Sequence, residues 1–122
     1  MISPGPADGD WGHGMDWAVL ALTGDADLAS AVPLRASLTA ATMKTPSWLV
    51  LDLAELDFID STGLGVLVGA LRRVRAGGGE MRVAAAQPGI ARVFSVTGLD
   101  RVFGVYPTVD EAKQAAFGPT AG

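Results

Sequence analysis

The 122-residue chain contains no cysteine, which excludes a disulfide framework and a thiolate metal site. Its single histidine, His13, lies among glycines near the N-terminus, and a solvated side chain is the simpler reading than a catalyst or ligand. No apolar run approaches the ~18 residues of a membrane span. The N-terminus also lacks the basic segment and apolar run of a secretory signal, so the expected location is cytoplasmic, with no membrane partner. Charge of one sign is scarce: nine Lys and Arg face 13 Asp and Glu, giving −4 at pH 7. An acidic balance of that kind argues against direct nucleic-acid binding. No G-x-S-x-G elbow, phosphate-cradling G-x-x-x-x-G-K-[ST] loop or dinucleotide-type G-x-G-x-x-G is present. No histidine outside the N-terminal stretch could activate a serine. The expected cofactor and metal content is therefore none; Asp52, Asp57 and Asp60 read as turn-formers first.

Apolar residues make up 49% of the chain, enough for one core. Glycines and prolines crowd residues 1–15, which read as a flexible tail. Residues 16–117 form the expected domain, and 118–122 a second tail. Trp17 to Leu22 reads as a strand closed by a turn at Thr23-Gly24-Asp25. A first helix follows, with Leu34, Leu38 and Ala41 on its apolar stripe. Pro33 fits that helix if Ser30 is the N-cap, since no first-turn N–H is then lost. Trp48 to Leu53 is a buried strand. Leu64, Leu67, Val68, Leu71 and Val74 recur at helical spacing, and that helix stops at Arg72, Arg73 and Arg75 followed by three glycines. A strand at Met81–Ala85, a short helix behind Pro88, a strand at Val105-Tyr106 and a last helix capped by Thr108 and Glu111 complete the chain. Alternation of strand and helix predicts an α/β domain with about four helices and a central, mostly parallel mixed sheet. The N-terminal segment around Trp11 could add an antiparallel edge.

The stretch Asp60-Ser61-Thr62-Gly63-Leu64-Gly65 stands where a strand-to-loop segment becomes a helix. Asp, Ser and Thr there serve as caps in the ordinary way. Capping does not account for Gly63 and Gly65, because glycine weakens a first turn. Bare backbone, open to close approach by another molecule, is the further reading. Asp25 and Asp27 could face Asp60 across the strand ends.

These residues resemble the anti-sigma factor antagonist family, built on the STAS domain (sulphate transporter and anti-sigma antagonist). The resemblance runs from about Ala18 to Phe117. It is most specific at Leu51-Asp52-Leu53 through Phe58-Ile59-Asp60-Ser61-Thr62-Gly63-Leu64-Gly65-Val66, with further matches at Gly79-Glu80-Met81, Val93-Phe94 and Thr97-Gly98-Leu99. It implies a STAS-type single domain without catalytic residues of its own. Ser61 would be the phosphorylation site, Thr62 the lesser candidate. The implied phosphate donor is an anti-sigma factor serine kinase, bound by the unphosphorylated form so that a sigma factor is released. A metal-dependent serine phosphatase would reset the switch. The implied partner-binding residues are Asp27, Asp60, Ser61, Thr62, Gly63, Leu64 and Gly65. Ala26 departs from the larger apolar residue often found in the family, and Pro33 is unusual in its first helix. Two other readings stand beside this one: a STAS scaffold or transport-accessory domain without kinase control, and an enzyme using Ser61 as nucleophile.

Overall fold

A computed structural model describes residues 16–85 and 87–115. The expected tails, the Trp11 edge strand, His13, and packing by Ala116 and Phe117 lie outside the described residues. Strand β1 (Ala18–Ala21) lies beside β3 (Trp48–Asp52), which pairs with β5 (Glu80–Ala84) and through it with β6 (Gly104–Tyr106). Two further strands, β2 (Gly24–Ala26) and β4 (Leu56–Ile59), form a separate two-stranded sheet. Every strand pairing among the described residues is parallel. Among the described residues, four α-helices connect and cover the strands: α1 (Ala31–Ala41), α2 (Ser61–Ala76), α3 (Pro88–Val96) and α4 (Val109–Gln114).

Two corrections to the expected layout bear on the site. Gly24 and Asp25 do not merely close β1; they begin β2. The segment between Leu53 and Asp60, read as loop, contains β4. The simple alternation of strand and helix thus becomes a β-β-α unit repeated twice, followed by two β-α units. The pairing of β2 with β4 brings the chain just before α1 against the chain just before α2.

Leu49 and Leu51 of β3 and Met81 and Val83 of β5 join one core with Leu34 and Leu38 of α1, Leu64, Leu67, Leu71 and Val74 of α2, and Ile90 and Phe94 of α3. Strand alternation sends Val50 and Ala84 to the opposite face, where they meet Trp17 and Ala112 of α4. Trp17 and Trp48 pack edge to face there at 5.7 Å. Arg82 enters the same layer almost fully buried. One of its guanidinium nitrogens donates to the carbonyls of Ala112 and Ala115, both at 2.7 Å, and so closes the C-terminal end of α4. Its guanidinium also lies 4.7 Å from the Trp17 ring centroid. Burial pushes its pKa below the ordinary arginine value, opposed by Tyr106 and Glu80.

Both ends of α2 follow the sequence. Asp60 caps its start, and Gly77 its end with Arg73 and Arg75 in the last turn. Gly78 then takes φ 86°, a conformation that glycine reaches without a Cβ penalty. Helix α1 has Ser30 as N-cap, so Pro33 falls in the first turn as expected. The last helix is shorter than its apolar residues suggest, because Ala115 is already extended.

Candidate functional site

Asp60 sits in extended conformation at the N-cap of α2, with φ −115° and ψ −173°. Its carboxylate accepts the Gly63 N–H at 3.0 Å, and its carbonyl accepts the Leu64 N–H at 2.9 Å. One orphan amide of the first turn is thereby satisfied. The Asp60 N–H in turn donates to the Ala26 carbonyl at 3.1 Å, which fastens the start of α2 to the end of β2. Ser61, Thr62 and Gly63 are then the first three helical residues. By helix geometry the Ser61 and Thr62 amides have no intrahelical partner, and they leave a partial positive charge at that end.

The six residues of the motif divide between surface and interior. Ser61 and Gly65 are exposed, Asp60 and Thr62 half-buried, Gly63 and Leu64 buried. The Ser61 hydroxyl has no hydrogen-bond partner among the described residues. Gly63 is glycine for an internal reason: a Cβ there would lie 2.2 Å from the Ala26 carbonyl oxygen and 3.0 Å from the Ala26 Cβ. Of the two glycines expected to bare their backbone, Gly65 is exposed and Gly63 is buried. Gly63 admits the β2 backbone, whereas a Cβ on Gly65 would have nothing within 4 Å. The small side chain at Ala26, 2% exposed, belongs to the same close approach. Nothing in the sequence around Gly63 could have shown this, because the neighbouring atoms come from a segment far away in the chain.

Asp27 follows Ala26 directly, so the structure does bring it to the edge of the motif. Its carboxylate is engaged locally: it accepts the Ser30 N–H at 3.1 Å, and the Ser30 hydroxyl oxygen lies 3.0 Å away. In return the Asp27 N–H donates to the Ser30 hydroxyl at 2.9 Å. The nearest acceptor for that hydroxyl's proton is the Asp25 carbonyl, at 2.6 Å. Asp27 thus shapes the turn into α1. Gln87 was not foreseen at all: its side-chain amide donates to the Ala54 and Leu56 carbonyls at 2.8 and 2.5 Å, pinning the turn from which β4 runs to the motif.

No group of three or more His, Cys, Asp or Glu among the described residues could hold a metal ion. No helix among them is long and apolar enough to cross a membrane. What the arrangement offers is an exposed primary hydroxyl on a rigid, carboxylate-capped helix start.

A domain with this topology and this motif defines a class, and comparison with known proteins gives its family. The STAS domain family model matches residues 13–112, and the chain belongs to that family. Several curated relatives are named as anti-sigma factor antagonists, and one from Mycobacterium tuberculosis as an anti-anti-sigma factor. The anti-sigma F factor antagonist of Paenibacillus polymyxa is 38% identical over 58 residues, 48% of this chain and 50% of that protein. The anti-sigma-B factor antagonist of Listeria monocytogenes is 32% identical over 81 residues, covering 66% of this chain and 71% of that one. The matched stretch spans about half the length of several of these relatives, including 49% of one from Mycobacterium tuberculosis. Among solved structures, an anti-sigma factor antagonist from Mycobacterium paratuberculosis aligns with TM-score 0.70 and 32% identity, covering 79% of this chain and 81% of that one. The Bacillus cell fate determinant SpoIIAA in its phosphorylated form aligns with TM-score 0.58 and 26% identity, covering 79% and 86%.

Proposed function

We propose that the protein is an anti-sigma factor antagonist that works by partner switching, with Ser61 as the phosphate acceptor. In this reading the unphosphorylated form binds an anti-sigma serine kinase and releases a sigma factor. The kinase supplies ATP, metal and catalytic groups, and moves the γ-phosphoryl group onto the Ser61 oxygen. A serine phosphatase removes it. The observation that carries the reading is the exposed Ser61 hydroxyl at the first helical position, on a segment fastened by Asp60 to Ala26. Thr62 is half-buried, which favours Ser61 as acceptor.

The chemistry of the switch follows from that position. A phosphate adds about −1.5 to −2 charges at pH 7. Within the protein, the free amides and the positive end of α2 offset much of that charge, so the fold survives. A partner surface fitted to a neutral hydroxyl and the bare Gly65 backbone instead meets a bulky, hydrated anion. Asp60 acts by holding the segment in place, and Asp27 by shaping the turn into α1.

The test is incubation with purified candidate anti-sigma kinases and ATP, followed by mass spectrometry of the peptide around Ser61. One phosphate on Ser61, absent from Ser61→Ala, is the expected result. Phosphorylation of Ser61→Ala at the wild-type rate overturns the assignment.

A further inference from the structure

The nine lysines and arginines are unevenly spread: none precedes Arg35, and none lies between Thr45 and Leu71. Those two stretches carry Asp25, Asp27, Asp52, Glu55, Asp57 and Asp60. These carboxylates belong to β2, the turn after it, the end of β3, the β3–β4 turn, β4 and the cap of α2. The end of the domain that presents Ser61 therefore carries mostly carboxylates; exposed Arg35, one helical turn past Val32, lines a hollow with Gly65 and Gly69 at its margin. Lys44, Arg72, Arg73 and Arg75 cluster instead near the C-terminal ends of α1 and α2.

Two large aliphatic side chains stand in the acidic region with no role in the core. Leu28 is 76% exposed and Val32 74% exposed. They are four residues apart, across the turn that enters α1, while Ala31, Leu34 and Leu38 of the same helix take the buried face. Leu28 is two residues from Ala26, whose carbonyl binds the Asp60 N–H, so this apolar pair and Ser61 emerge at neighbouring helix starts. Isolated exposed aliphatics are common. A pair at the helix start next to the one that carries Ser61, in a region where carboxylates outnumber bases, has a more specific use.

We infer that Leu28 and Val32 are the apolar anchor of the partner contact, and that the partner surface seated on them presents apolar side chains ringed by lysine or arginine. The inference rests on the reading of Ser61 as the switch and specifies its partner. Complementary charge of this kind governs encounter rate and salt dependence, while the desolvated apolar contact governs dissociation. A further consequence concerns the phosphate. Its charge has the same sign as its surroundings, so it does not repel a basic partner at long range. Its effect falls on the close contact, and so on the dissociation rate.

The experiment uses the kinase that binds the wild-type protein in the phosphorylation panel, with association and dissociation followed without ATP over a salt series. The variant is Leu28→Ser/Val32→Ser, checked by thermal melting, since exposed positions should leave the fold intact. The expected results are an unchanged melting temperature, a loss of affinity of at least about tenfold, mainly in dissociation, and a wild-type association rate that falls as salt rises. Wild-type affinity in the double variant, or an association rate indifferent to salt, overturns the surface. If Ser61 is still phosphorylated in that case, the switch itself stands and only this surface falls. If no kinase binds the wild type, both fall.

Discussion

Replacing Gly63 by alanine puts one methyl group where the structure has no room. The added carbon would lie 2.2 Å from the Ala26 carbonyl oxygen and 2.8 Å from its carbonyl carbon. Both are backbone atoms, so no side chain can rotate aside; β2 and the start of α2 must separate. Overpacking of this kind costs about 1–3 kcal/mol. Weakening the 3.1 Å bond from the Asp60 N–H to the Ala26 carbonyl adds about 1 kcal/mol. Against this, alanine is better than glycine inside a helix by about 1 kcal/mol. The net expectation is a destabilisation of about 1–3 kcal/mol. Gly69, six residues along the same helix, is the control: it is exposed, and a Cβ there has nothing within 4 Å. Gly69→Ala should therefore stabilise by about 0.5–1 kcal/mol. Urea unfolding of the two variants beside the wild type measures the contrast, and in melting each kcal/mol should appear as roughly 4 °C. If Gly63→Ala stabilises the protein as Gly69→Ala does, the close approach of β2 to α2 is wrong.

Leu71, 1% exposed, should cost about 2–5 kcal/mol when cut to alanine, whereas exposed Arg72→Ala should stay within about 0.5 kcal/mol; equal denaturation midpoints for the two would mean that the helix face is misassigned. Arg82→Met keeps apolar bulk but abandons the Ala112 and Ala115 carbonyls, so it should cost about 2–4 kcal/mol and speed amide exchange in α4. Unchanged exchange there would show that Arg82 does not hold the helix.

The helices were legible because their signals are local. The stripe through Leu64, Leu67, Leu71 and Val74, the caps at Asp60 and Thr108, and the glycines after Arg75 each state a boundary within a few residues. Strands β2 and β4 were not legible. Gly24-Asp25-Ala26 and Leu56-Asp57-Phe58-Ile59 are short and interrupted by turn-forming residues, and each is a strand only because it meets the other. The same holds for the site. The Asp60-Ser61 pair at a helix start could be read directly, but the burial of Gly63 depends on Ala26, a partner 37 positions away. The outward direction of Val32 depends on which face of α1 meets the core, and that of Leu28 on the turn before it. Arg82, a cation within a strand, gave no sign that its partners would be carbonyls at the end of α4.

In the proposed switch, a neutral hydroxyl at Ser61 binds a partner that an anion at the same position rejects. Calorimetric titration of wild type, Ser61→Ala, Ser61→Asp and the Ser61-phosphorylated protein into a kinase that binds the wild-type protein is the decisive measurement. Binding is expected for the first two and, for the phosphorylated form, a loss of ~3 kcal/mol or about a hundredfold in affinity. Ser61→Asp should also lose most of its affinity while melting within a few degrees of wild type. Equal affinity of the phosphorylated and unphosphorylated proteins would contradict the switch.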